Sequence, residues 1–179
     1  MVNLEDVALW ATIATWVLAI GTLVALYWQT RQAGQLNSAN AVITLRERFD
    51  SPRMRRARRH TSSRLLSNDL DDITSLEVLT FFELIGAQTQ RKILDEEMVW
   101  EAFGGWITSY YRAMRRPVDR IQQLRDTAHD PLLFHKLEWL NDRIMALDRA
   151  QLGEAYEPSV EAVEESGLYL RREAELETE

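Results

Sequence analysis

Three histidines, His60, His129 and His135, are the side chains best suited to acid–base work or metal ligation near neutral pH. His60 stands in an arginine-rich run and His129 near a helix end. His135 and Glu138 are three apart, the reverse of the Glu-x-x-His order used in di-iron bundles, and the second such pair that chemistry needs is missing. The chain has no cysteine, which removes disulfides, thiolate metal sites and cysteine nucleophiles. A glycine-rich phosphate loop, a nucleophile elbow and a His-Glu-x-x-His are all missing from the sequence. The pattern therefore predicts no catalytic residue, no metal site and no cofactor. Two carboxylates remain of interest. Glu83 follows Phe81-Phe82 at the rim of an apolar helix face, and Glu138 precedes Trp139. A partly buried carboxylate needs a partner, which Arg112, Arg115 or Arg143 would supply. The plain reading of Glu83 is a structural ion pair; the sharper one is a cryptic enzyme with its site there.

The second polar feature is a block of arginines. Residues 46–64 hold eight Arg against Glu47 and Asp50, whereas residues 150–179 hold nine Glu against Arg171 and Arg172. The net charge of -7 is thus the charge of the tail, and the rest of the chain is balanced. Arginine forks suit phosphate oxygens, so Arg53, Arg56 and Arg59 are candidate contacts for phosphate or an anionic lipid headgroup. The alternatives are a solvated face, a clamp with the acidic tail, or another acidic partner. Nucleic acid is disfavoured, because no aromatic residues interleave in the block to stack on bases.

The elements that carry these residues begin with an uncharged run, Val7 to Trp28. As a helix of 1.5 Å per residue its 22 residues reach roughly 33 Å, close to the hydrocarbon thickness of about 30 Å. Trp10 near one end and Tyr27-Trp28 near the other suit the headgroup level. A buried core helix and a cleaved signal peptide are the rivals, the latter disfavoured by Glu5 and Asp6 where basic residues belong. Residues 7–28 are therefore expected to cross a membrane once. Arg31, Arg46 and Arg48 follow the run and no basic residue precedes it. This places residues 1–6 outside and the rest in the cytoplasm, at the inner or plasma membrane. Gly21 and Ala25 form a small-xxx-small pair through which two such helices could pack as a homo-oligomer.

Beyond the span, residues 29–50 read as a helical stalk with Val42, Leu45 and Phe49 on one stripe. A straight stalk would hold the arginine block about 30 Å from the membrane, past a screening length of about 8 Å. Asp50-Ser51-Pro52 breaks it, with Ser51 as N-cap and Pro52 at the first position of a helix over 52–66. Thr74 and Glu77 form a capping box for a core helix over 75–92. Asp95 caps a helix over 96–115, in which Gly104-Gly105 allow a close crossing or a kink. Helices over 118–128 and 131–149 complete a domain spanning 51–149. The tail 150–179 is expected to be mostly disordered, with at most a transient helix from Ser159. The fold class is all-α: one membrane helix and a small bundle of about four to five helices. No alternating strand pattern is present.

The segment LTFFELIGAQTQRKILDEEMVWEAFGGWITSYYRAM, followed by IQQLR and LLFHKLEWLNDRI, resembles a bacterial family known only as a domain of unknown function. The residues that carry the likeness are Phe82-Glu83, Ile85-Gly86, Leu94-Asp95-Glu96, Trp106, Tyr110, Arg125, Phe134 and Glu138-Trp139-Leu140. It covers about residues 40–148. It implies one N-terminal membrane helix and a small helical cytoplasmic domain, and it carries over no catalytic residue. The functional expectation is a membrane-tethered interaction or regulatory module that meets lipid through its first helix and a protein partner through its domain. An anionic-lipid-binding domain is the alternative.

Overall fold

The structure, a computed structural model, describes residues 4–67, 76–115, 119–152 and 160–175, without the side chains of 4–19, 30, 31, 33, 152 and 160–166. All seven elements among them are helices: α1 (Leu4–Phe49), α2 (Pro52–Ser67), α3 (Glu77–Gln90), α4 (Glu96–Arg115), α5 (Arg120–Ala128), α6 (His135–Leu152) and α7 (Val160–Ala174). The chain divides into two units, Met1–Ser38 and Ala39–Glu179.

In the first unit the described residues, from Leu4 on, belong to the single helix α1. Ile20, Leu23, Val24, Leu26, Tyr27 and Trp28 are each more than half exposed along it. The expected span over 7–28 falls in large part on side chains outside those described. Among the described residues, no helix is long and apolar enough to cross a membrane.

The second unit opens with the last turns of α1. These differ from the expected stalk, because Val42, Leu45 and Phe49 are buried in the core. Phe49 lies at its centre, with ring centroids 5.5 Å from Phe81, 5.7 Å from Phe82, 5.6 Å from Phe103 and 5.3 Å from Trp106. Edge and offset contacts of this kind add about 0.5–1.5 kcal/mol per pair beyond the burial of the rings. Asp50 and Ser51 end α1, and the Ser51 hydroxyl accepts from the Met54 amide at 3.3 Å to start α2. The expected capping box at Thr74 falls outside the described residues.

Helix α3 packs on α6, α4 on both α6 and α7, and α2 on α7. Lys92 in the left-handed region, with φ 58°, ends the turn after α3. Asp95 then caps α4 by accepting from the Glu97 and Met98 amides. The α3–α6 crossing is close at Gly86, where a Cβ atom would lie 2.4 Å from the Lys136 carbonyl oxygen. Only glycine fits there. The Gly104-Gly105 pair makes milder contacts with Trp100, Ile144 and Tyr169, and α4 passes through it without a break.

Two expectations are corrected. The helix expected from residue 131 begins at His135. Residues 131–134 form a turn that ends at Phe134 with φ 58°. The tail expected to be disordered carries α7, with Leu170 and Glu173 buried against the domain. Leu170 is buried, Tyr169 beside it is partly buried, and the buried carboxylate of Glu173 meets an arginine. Among the described residues six helices therefore follow α1, where four or five were expected.

Candidate functional site

The arginine block divides by helical periodicity. Met54, Arg58, Thr61, Ser62 and Leu65 face inward, whereas Arg53, Arg56, Arg59 and His60 are exposed. The three arginines predicted to meet phosphate thus share the outer surface of α2. Arg53 pairs through Nε with Glu77 Oε1 at 2.9 Å. Arg56 and Arg59 have no hydrogen bond or ion pair among the described residues.

Arg58 was not singled out by the sequence, yet it is the buried member of the block. Its Nε lies 3.2 Å from Glu173 Oε2, and both side chains are over nine-tenths buried. The contact is one of charge, since neither atom is aligned for a hydrogen bond. The guanidinium also covers the Phe49 ring at 4.2 Å and stands 3.9 Å from Asp50. Glu173 is held from its other oxygen by the Trp106 indole N–H at 3.0 Å. One arginine of the basic block and one glutamate of the acidic tail therefore form an internal clamp. The sequence signal was the spacing: Arg58 is four residues after Met54 and three before Thr61. Beside it, the Tyr110 and Ser62 hydroxyls are 2.8 Å apart. Burial pushes the Tyr110 phenol well above its ordinary value, against the Ser62 hydrogen bond.

Glu83 is not placed for chemistry. Its two carboxylate oxygens accept from the Lys136 amide at 3.1 Å and the Leu137 amide at 2.6 Å. A side chain from α3 thereby caps the start of α6, where free N–H groups and the helix dipole favour negative charge. None of the arginines expected to pair with it does so among these contacts. Glu138 is the carboxylate that takes an arginine. Arg125 Nη2 donates to its Oε2 at 3.0 Å and the Tyr111 hydroxyl to its Oε1 at 3.2 Å, while Arg125 Nε donates to the Leu133 carbonyl at 2.9 Å. Burial works against the charge of Glu138, but the hydrogen bonds from Arg125 and Tyr111 and the positive charges of Arg125 and Arg115 together hold its carboxyl below the usual value. Burial and then the Glu138 charge push Tyr111 up to about 12. The cluster ties α4, α5 and α6 together.

All three histidines are exposed. His129 sits in the left-handed region at the C-cap of α5. No group of three or more histidines and carboxylates among the described residues is placed to hold a metal ion.

Sequence reasoning also missed a cavity of about 810 Å³ between α2, α3 and α5. Its lining includes Met54, Phe81, Leu84, Leu124, Leu133 and Phe134, with Arg48, Arg53 and Glu77 among the polar residues. No periodicity in one element announces it, because the lining is shared among several helices, with four residues from α3, three from α5 and two from α2. A smaller recess of about 80 Å³ shares Arg48, Arg53, Met54 and Glu77 with it and adds Ser51.

Comparison with known proteins bears on the family alone. No curated protein and no solved structure matches the chain. The family described as Domain of unknown function (DUF4760) matches residues 5–144. The residues that carried the likeness in the sequence serve packing and capping in the fold: Phe82, Tyr110 and Leu140 are buried, Glu83 and Asp95 cap helices, and Gly86 admits a crossing. With that match spanning most of its length, the chain belongs to the DUF4760 family.

Proposed function

We propose that this protein is a membrane-tethered helical module of the interaction or regulatory kind, inserted once through residues 7–28 with Ala39–Glu179 in the cytoplasm. The observation that carries the reading is the uncharged first stretch of α1, whose described large apolar side chains stand uncovered. A face of this kind needs an apolar surround, and hydrocarbon supplies it while the helix satisfies its own backbone groups. The basic residues that follow favour the cytoplasmic side for the domain. Within the domain, Glu83 and Glu138 have structural partners, which favours binding over catalysis.

The cysteine-free sequence makes the test direct. Asn3→Cys and Gln151→Cys variants, expressed separately, are treated in intact cells with a thiol reagent that cannot cross membranes. The full chain should stay in the pellet through alkaline carbonate extraction, Cys at position 3 should label in intact cells, and Cys at 151 only after lysis. Extraction into the supernatant would end the tether, and the opposite labelling would reverse the orientation.

A second reading, an anionic-lipid contact, is favoured by the shared outward face of Arg53, Arg56 and Arg59. Full-length protein in nanodiscs should show slower deuterium uptake along α2 when phosphatidylglycerol is included. The effect should fade with salt and with Arg→Gln at the three positions. Equal uptake in zwitterionic and anionic discs rejects it.

A further inference from the structure

The cavity between α2, α3 and α5 is graded from an apolar floor to a charged mouth. The most buried of its lining side chains are Met54, Phe81 and Phe134, each about 3% exposed, and none carries a charged or hydrogen-bonding group. Of those that reach solvent, Arg48, Arg53, Thr80 and Thr127 are exposed and polar and Glu77 is partly exposed, together with the apolar Leu84 and Ala128. At about 810 Å³ the hollow falls inside the range of about 300–1,000 Å³ typical of small-molecule sites. A packed core would have closed over such surface rather than leave it open.

The mouth has a seat of its own. The recess of about 80 Å³ lies among Arg48, Ser51, Arg53 and Glu77, room enough for a group of carboxylate size. Two arginines and one glutamate leave a single net positive charge. Arg53 meets Glu77 through Nε, and a guanidinium has four further N–H donors to offer. Arg48 is carried over the wall of the hollow by its position 5.8 Å from the centre of the Phe81 ring. Met54, flexible and polarizable, borders both spaces and suits an occupant of variable shape.

From this gradient we infer that the cavity binds a single-chain anionic amphiphile, a long-chain fatty acid, with its hydrocarbon tail among Met54, Phe81, Leu84 and Phe134 and its carboxylate between Arg48 and Arg53. One apolar chain matches the floor, and one negative charge matches the mouth. The site stands on the second unit alone and does not depend on the span.

The test uses the full-length protein in zwitterionic nanodiscs, or in buffer should it need no membrane, with a palmitate analogue that bears a photoreactive diazirine on its tail. Adducts are mapped by peptide mass spectrometry. The expected result is labelling within 76–84 and 124–134, competed by palmitate and not by methyl palmitate, which keeps the tail and lacks the charge. Arg48→Gln with Arg53→Gln should reduce labelling at least tenfold. Both side chains are exposed, so the fold should persist, as circular dichroism will verify. Leu84→Trp, which fills the hollow from a partly exposed position, should abolish labelling without touching the arginines. Adducts confined to 7–28, labelling that Leu84→Trp leaves unchanged, or equal competition by methyl palmitate would each overturn the assignment.

Discussion

Replacing Glu83 should unfasten α6 from α3. Its carboxylate accepts two backbone N–H groups at the start of α6, at 3.1 and 2.6 Å. A side-chain cap is worth about 0.5–2 kcal/mol, a negative charge at a helix N-terminus about 0.3–1 kcal/mol, and partial burial places this case toward the upper end. Glu83→Ala is therefore expected to cost about 2 kcal/mol. With an unfolding entropy of about 2.1 cal/mol/K per residue over Ala39–Glu179, roughly 0.3 kcal/mol/K in all, the midpoint should fall by about 7 °C. Glu83→Gln is the sharper variant. An amide has one acceptor oxygen, and its NH2 group would face a backbone N–H, so Gln should recover less than half of the loss. Thermal and urea unfolding of the two variants would give these numbers. Amide exchange would locate the effect, with Lys136 and Leu137 losing protection before the rest of α6. A shift under about 2 °C in Glu83→Ala, or near-parental stability in Glu83→Gln, would refute the cap and return Glu83 to the list of residues available for chemistry.

Further outcomes follow from the other polar groups. Glu173→Gln should destabilise the chain by about 3 kcal/mol, because it leaves Arg58 buried beside a neutral partner, while Arg58→Met with Glu173→Leu should recover most of that in a double-mutant cycle by urea unfolding. Gly86→Ala should destabilise despite its better helix propensity, since the added methyl meets the Lys136 carbonyl oxygen; a gain in midpoint would contradict the crossing. In alkali, an unfolded Tyr111 ionises near 10.0 and the folded one near 12, so its stabilisation is full below pH 10 and is lost as pH rises to 12. Tyr111→Phe should flatten that limb in part, with Tyr110 supplying the remainder. In acid the sign reverses: Glu138 is depressed in the fold, so its contribution is full above about 4.5 and lost as pH falls through its folded value, and Glu138→Gln should remove it.

What the sequence made legible was local. Ser51 ahead of Pro52 and Asp95 ahead of Glu96 named the starts of α2 and α4, because a cap and its amides lie within three residues of each other. The all-helical class followed from apolar spacing alone. The start of α6 was misjudged because its cap comes from Glu83, more than fifty residues away. Asp130, directly before the expected start, accepts from the Leu132 amide and so holds a turn and not the helix. The fate of the tail was hidden for the same reason. Composition reads its glutamates as solvated, and one buried partner at Arg58, with the Trp106 indole beside it, is enough to overrule composition at Glu173. Arg58 itself was within reach, since it shares a face with Met54 and Thr61, but counting charge along the block concealed which of its members turns inward. The cavity was out of reach, being a property of three helices at once.

The helix that closes over Arg58 lies past residue 144, the last residue of the family match. A buried cation without its carboxylate is costly, so the arginine and its cover are physically one unit. A relative whose chain stops short of α7 should show a neutral side chain at the place of Arg58, whereas a relative that keeps the cation should also keep a carboxylate downstream to answer it. Trimming the acidic segment for convenience would strand the cation and bare the Trp106 ring, so a shortened chain would report on a wound rather than on the native domain.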